Sequence, residues 1–432
     1  MVTIFLLVLL SLLLINLQLT RDFFHPTIIF KIVWLMSATV LLFYQNRWGV
    51  SLSFETICIF LSGFLAFDLG FVFFRVLKGK NYFKALNNFN VNSSDEQQLK
   101  LKKNRVFLLF TLVILMSSYL LYDISTLIGG ITAFFSESFL MDYRVLQYDE
   151  SSSTNTQQFL FRALEVIGVS VLIFSLREKN KSKTRLFMYL LILTITFGIQ
   201  LLTTGRMRFL AILVQFSIIY LINERKNGKF LTFKSQKKFS FNLFGIFLLF
   251  ISIFYLYGKY GVDKIDENDP FNSIAIYIAS PLPAFDITWP LYSNTSEYFG
   301  QAVLAPVYNI LNKIFGIDYT SGADEVTKEF VKAENGFSTN VYTLFHEQIL
   351  DFGVWFVPFV MFFIGLLMAF LKYKATLEKK IGFWSAIYSM FMFSIVISFF
   401  QDTFFINSSF TFMSLLIFLI IFKTKIINSK TI

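Results

Sequence analysis

Residues 50–74 read VSLSFETICIFLSGFLAFDLGFVFF, and this stretch decides the fold. Glu55 and Asp68 are its only charges, and a helix of this length exceeds the ~20 residues that cross a hydrocarbon core of ~30 Å. The segment that follows, 75–105, carries Arg75, Lys78, Lys80, Lys84, Lys100, Lys102, Lys103 and Arg105 against two acids. An apolar run closed by a basic loop is the repeating unit of a polytopic membrane protein, with the basic loop on the cytoplasmic side.

Outward from this stretch, similar runs lie at roughly 2–19, 27–44, 106–128, 159–176, 186–203, 209–222, 241–257, 352–371, 381–400 and 406–422. The expectation is an all-α polytopic membrane protein of about eleven spans (ten to twelve), since a spanning segment must satisfy its own backbone amides. A barrel of ~10-residue alternating strands is excluded. The first 19 residues lack a basic n-region and a small-residue cleavage pattern, and so read as a retained span. Segments 177–185, 223–240 and 372–380 are basic like 75–105, and the span parity puts all four on one side. With Arg21, Lys31 and the three tail lysines, 28 of the 38 Lys and Arg then face the cytoplasm, with the N-terminus outside and the C-terminus inside. Topology thus accounts for the net charge of +10 without a nucleic-acid partner.

Three regions result. Residues 1–257 hold eight spans and an outward loop at 129–158, residues 258–340 form a large external segment, and 341–432 hold three spans and a cytoplasmic tail. The external segment has eleven acids, five lysines and five of the seven prolines. Its apolar stretches, Ile274–Ile278 and Val303–Phe315, give it enough to pack as a folded piece. Short surface helices are expected there, with one stretch a candidate re-entrant or twelfth membrane helix.

Chemistry is narrowed by what the chain lacks. Its single cysteine, Cys58, forms no intrachain disulfide, and His25 and His346 lie in no zinc or nucleotide motif. No metal site and no cofactor are expected. Of eleven arginines, Arg47, Arg144, Arg206 and Arg208 fall in outward loops, and Arg162 lies near the outer end of its span. Arg206 and Arg208 belong to the turn Thr203-Thr204-Gly205-Arg206-Met207-Arg208 at head-group level. Such arginines grip a diphosphate through paired donors, or else anchor a hairpin to lipid phosphates. Arg162 and Glu165, three apart, form either an intramembrane functional pair or a self-neutralised one. Glu55 and Asp68 are candidates for a proton relay or for partly hydrated span ends, and His25, beside Pro26, reads as structural.

The second cluster is Asn340-Val341-Tyr342-Thr343-Leu344-Phe345-His346-Glu347, followed by Asp351-Phe352-Gly353. On a helix, 343, 347 and 351 share one face and 342, 346 and 350 the next, which sets His346 beside two carboxylates. A histidine so placed takes a proton near neutral pH, as activation of a sugar hydroxyl requires; an interfacial histidine bonded to loop carbonyls fits the spacing equally.

At these two clusters the sequence resembles the O-antigen polymerase family, bacterial polymerases of oligosaccharide repeat units. The resemblance rests on Thr204-Gly205-Arg206 in mid-chain, on Asn340, Tyr342, Thr343, Asp351, Phe352 and Gly353 later, and on the large external loop between them. It implies a GT-C-type architecture and an inverting, metal-independent glycosyltransferase in the bacterial inner membrane. Such an enzyme transfers a glycan from undecaprenyl diphosphate to a fresh lipid-linked repeat unit of O-antigen or capsule. His346, Glu347 and Asp351 would then be catalytic, Arg206, Arg208, Arg144 and Arg162 would hold the diphosphate, and Asn340, Tyr342, Thr343, Tyr277 and Trp289 would bind sugar. Its partners would be the lipid-linked oligosaccharide, membrane lipid and a chain-length regulator protein. A lipid-linked oligosaccharide flippase is the alternative, although it has no need of a folded 83-residue external segment.

Cysteine labelling in intact cells is expected to leave positions in 75–105 and 223–240 protected and to modify positions in 258–340. Protection of 258–340 would put every candidate residue on the wrong leaflet.

Overall fold

A computed structural model of the chain describes residues 1–79, 103–136, 139, 142–143, 155–178, 181–202, 206–228, 235–236, 245, 252, 269–292, 296, 299–304, 307–308, 311–312, 315–316, 330–333, 337–405 and 408–423. It is an all-α, multi-pass membrane protein. Helices α1 (Val2–Thr20), α2 (Pro26–Trp48), α3 (Phe54–Lys78), α4 (Lys103–Leu127), α5 (Asn155–Arg177), α6 (Lys183–Leu202) and α7 (Arg206–Lys226) are followed by α8 (Pro270–Ala279) and α9 (Pro281–Tyr292). A two-residue hairpin, β1 (Val331–Lys332) with β2 (Ser338–Thr339), precedes α10 (His346–Phe352), α11 (Val357–Leu377), α12 (Phe383–Ile397) and α13 (Ser408–Lys423).

Local chemistry sets the boundaries. The His25 side chain accepts from the Thr27 amide ahead of Pro26 to start α2, and Ser53 accepts from the Thr56 amide to start α3. Gly49 closes α2 in the left-handed region, φ 65°. His25 is therefore structural, as its place beside Pro26 suggested, and its ring also packs 4.8 Å from Phe71.

Eight helices among the described residues are long and apolar enough to span a membrane, and α8 with α9 makes a ninth if the pair, bent by 45°, is one broken span. The expected spans at 381–400 and 406–422 are shorter than the sequence suggested. α12 has 15 residues and α13 has 16, about 23 Å of rise against a core of ~30 Å. Polar Ser398, Gln401, Asp402 and Thr403 end the first helix early, and the chain is non-helical through Phe405. The span expected at 241–257 falls almost entirely outside the described residues.

The bundle is polarised. Asp22, between α1 and α2, accepts from Arg225 of α7 at 3.0 Å and from Lys372 of α11 at 3.0 Å. Lys226 donates to the carbonyls of Ala375, at 2.8 Å, and Glu378. The Glu378 carboxylate accepts from the amides of Trp384 and Ser385, at 2.8 and 3.1 Å, at the start of α12. Glu178, after α5, pairs with Arg185 of α6 at 2.6 Å, and Lys423 sits 5.5 Å from the Phe383 ring. The basic inter-helix ends thus gather at one end of the molecule. Toward the same end, Lys31 of α2 binds Asp68 of α3 at 2.7 Å, with Asn16 of α1 donating to that carboxylate at 2.8 Å. Asp68 is an ion-pair partner that ties three helices, and Glu55 is exposed in the first turn of α3.

The closest helix contact is α3 against α11. A Cβ on Gly70 would lie 2.3 Å from the Phe362 carbonyl oxygen, and one on Gly365 would lie 2.2 Å from that of Phe67. Backbones touch here, as small residues permit in membranes. One turn toward the opposite end, Phe345 inserts among Trp34, Phe60 and Phe64, at ring distances of 5.3, 5.6 and 6.2 Å. Gly63 makes room for it, since a Cβ there would come within 2.6 Å of the Phe345 ring.

Gly70→Val or Gly365→Val is expected to destabilise the purified protein by more than the ~1–3 kcal/mol of ordinary overpacking, because backbone must yield. Thermal unfolding in detergent measures it; an unchanged melting temperature would refute the backbone seam.

Candidate functional site

Two non-helical segments meet at the end of the bundle opposite the basic one. The first, 341–345, runs into α10, and the second, 398–405, follows α12. Leu344 donates its amide to the Ser398 carbonyl at 2.8 Å, and Trp34 Nε1 donates to Ser398 Oγ at 2.9 Å. Phe345 in its aromatic seat fixes the first segment. Asp402 shapes the second, accepting from the amides of Phe404 and Phe405 at 2.8 and 3.3 Å, the turn geometry that aspartate favours.

This meeting concentrates buried polar groups. Thr343, His346, Glu347, Gln348, Asp402 and Thr403 are each at most 5% exposed. Each has one side-chain atom with no hydrogen-bond partner among the described residues: Thr343 Oγ1, His346 Nε2, Glu347 Oε2, Gln348 Oε1, Asp402 Oδ2 and Thr403 Oγ1. Buried polar atoms are ordinarily bonded, so such a concentration marks a place built to meet something else.

His346 stacks on Tyr342, with centroids 4.0 Å apart and planes 10° from parallel. Burial pushes its ring down to about 3, so it is a neutral imidazole at ordinary pH. The expected proton uptake near neutrality, with two carboxylates beside the ring, does not hold in this geometry. Consecutive residues on a helix point ~100° apart, and the carboxylates turn elsewhere. Asp351 accepts from Ser296 Oγ at 2.6 Å and from the amides of Ala302 and Val303 at 2.8 and 2.7 Å. It holds Ser296 and the turn at 299–303 against α10. Glu347 lies within electrostatic reach of Asp402, and burial together with repulsion from Asp402 and Asp351 pushes its carboxyl well up. Asp402 is the residue that sequence reading missed.

A second cluster forms where α5 and α7 reach the same end. Arg162 pairs with Glu165 at 2.8 Å, as their spacing suggested, and the other oxygen of Glu165 accepts from Gln215 at 2.5 Å. Arg208 lies over the Phe161 ring at 5.0 Å and interacts electrostatically with Arg162, Glu165 and Tyr143. Its Nη1 is buried with no hydrogen-bond partner among the described residues, which leaves a donor in a dry setting. The two clusters connect through one stretch of chain, since Arg162 also sits 5.7 Å from the ring of Phe410, eight residues beyond Asp402.

Other expected residues fall apart from these. Arg206 opens α7, but its side chain lies outside the described residues, as do Thr203, Thr204, Gly205 and Arg144. Asn340 is exposed and Tyr277 is half-buried on α8. Trp289 donates to Thr56 Oγ1 at 2.7 Å, and beside it Asp286 accepts from Ser53 Oγ at 2.6 Å. Trp289 is thus part of the fastening between α9 and α3. Among the described residues no group of three or more His, Cys, Asp and Glu forms a metal site.

Asp351→Ala is expected to cost about 1–3 kcal/mol for each donor left unpaired and to open 296–304 to protease. Unaltered melting and proteolysis would remove Asp351 from this role. Compared with protein families, with characterised proteins and with solved structures, the chain gives no match.

Proposed function

We propose that the chain is a membrane glycosyltransferase of the O-antigen polymerase kind. In this reading it joins undecaprenyl-diphosphate-linked repeat units at the outer face of the bacterial inner membrane, with the basic end in the cytoplasm. One observation carries the reading: at the end opposite the basic one lie both a nest of hydrogen-bonding groups without partners among the described residues and the half-buried Arg208, whose Nη1 likewise has none there. A sugar diphosphate on a lipid needs both. The hydroxyl-rich sugar meets Thr343, His346, Gln348 and Thr403, and the diphosphate meets Arg208, with Arg162 beside it and Arg206 and Arg144 as further candidates.

Breaking the anomeric C–O bond places negative charge on the departing diphosphate. Arginines held before the reaction stabilise that charge without reorganising, and they do so most strongly where water is excluded. Among the described residues Arg162 is already engaged by Glu165, whereas Arg208 has Nη1 to spare.

Arg208→Lys keeps the charge and removes the planar fork. Turnover of lipid-linked repeat units by the reconstituted protein is expected to fall roughly 100-fold to 1000-fold, the range for one transition-state donor, with normal insertion and single units accumulating. Full-length ladders from the variant would reduce Arg208 to a lipid anchor. Wild-type protein that moves lipid-linked units across the bilayer without joining them would establish the flippase instead.

A further inference from the structure

Glu347 and Asp402 come from segments 55 residues apart, and the fold buries both, at 4% and 0% exposure. Their meeting is enforced by the Leu344–Ser398 backbone bond, the Trp34–Ser398 side-chain bond and the seated Phe345. Glu347 Oε2 and Asp402 Oδ2 have no hydrogen-bond partner among the described residues. Among the described residues no lysine or arginine acts on either carboxyl. The titratable groups around them are His346 and Asp351 of α10, and the side chains packed on this segment from α2 and α3 are Trp34, Phe60 and Phe64.

Two adjacent buried carboxyls without a cation cannot both be charged. Burial first, and then the neighbouring carboxyl in the case of Glu347, push both upward. One proton held between them lets the other carboxyl ionise, as a shared-proton pair does.

We propose that Glu347 and Asp402 form a single-proton carboxyl pair whose ionised member takes the proton from the attacking sugar hydroxyl. This rests on the glycosyl-transfer reading above. The acceptor O–H gives its proton to the carboxylate while its oxygen forms the new bond to the anomeric carbon. The bond from that carbon to the diphosphate oxygen breaks, and its electron pair leaves on the diphosphate beside Arg208. His346, neutral and stacked on Tyr342, orients the acceptor through Nε2 and is a positioning residue.

The test uses the full chain in liposomes with lipid-linked repeat units, assayed from pH 5 to 9, alongside infrared titration of the substrate-free protein. Wild-type turnover is expected to fall on the acid side as the pair takes a second proton. Glu347→Gln should lose roughly 100-fold to 10,000-fold, the span of general acid–base catalysis. Asp402→Asn keeps the oxygen that accepts from Phe404 and Phe405, and it should move the acid limb to higher pH, because the shared proton that helps Glu347 ionise is gone. The substrate-free protein should show a protonated-carboxyl band at neutral pH that either substitution abolishes. An unshifted pH profile in Asp402→Asn, or turnover in Glu347→Gln within threefold of wild type, would overturn the proposal. Transfer by wild-type protein that shows no such band would overturn the shared proton while leaving glycosyl transfer standing. A band without transfer would overturn the transfer reading and leave the proton pair.

Discussion

Inside a bilayer a peptide group that is not in a helix must find its hydrogen bonds within the protein, and this molecule carries two non-helical segments packed into one end of its bundle. Everything around 341–345 and 398–405 follows from meeting that requirement. The segments bond to each other through Leu344 and Ser398, to α2 through Trp34, and to themselves through the Asp402 carboxylate. Phe345, surrounded by Trp34, Phe60 and Phe64, supplies the apolar contact that keeps them in place. Backbone freed from helices at this depth is tolerated where it is enclosed by protein or lines a polar space. Both conditions describe the nest of hydroxyls, amide and carboxyls there.

The two ends of the molecule treat charge differently. Toward the basic end, Asp22, Asp68 and Glu178 each face a lysine or arginine, and Glu378 accepts from the start of α12. Those contacts tie α1, α2, α3, α7, α11 and α12 together and α5 to α6. At the other end Glu347 and Asp402 repel each other, and Arg208 Nη1 has no hydrogen-bond partner among the described residues. Matched charges serve rigidity, whereas unmatched ones are costly and persist at sites of chemistry.

The sequence reveals the first seven helices and α11 well, because length and hydropathy are local properties that need no partner. It also reveals the Arg162–Glu165 pair, since spacing of three on a helix fixes proximity. It is less informative where proximity comes from distant segments. Asp402 lies in a five-residue gap between two apolar runs that read as full spans, so nothing nearby marks it. The available signal is the polar run Ser398, Gln401, Asp402 and Thr403 between two short apolar stretches. Asp351 misleads for the same reason, as its helical spacing from Glu347 suggests a shared site, while its actual donors are at 296, 302 and 303. The neutrality of His346 depends on burial by the aromatic seat and its surroundings, which no local pattern encodes.

The glycine contact between α3 and α11 also bears on how the chain is made. Gly70 and Gly365 are separated by almost 300 residues, so this seam joins two helices that leave the ribosome far apart in time. Until α11 enters the bilayer, the Gly70 face of α3 has lipid for a neighbour, and Gly63 overlooks a gap that Phe345 has yet to fill. The seam is therefore closed late relative to α3, and the site near Glu347 and Asp402 comes into being only after α12 has followed α11 out of the ribosome.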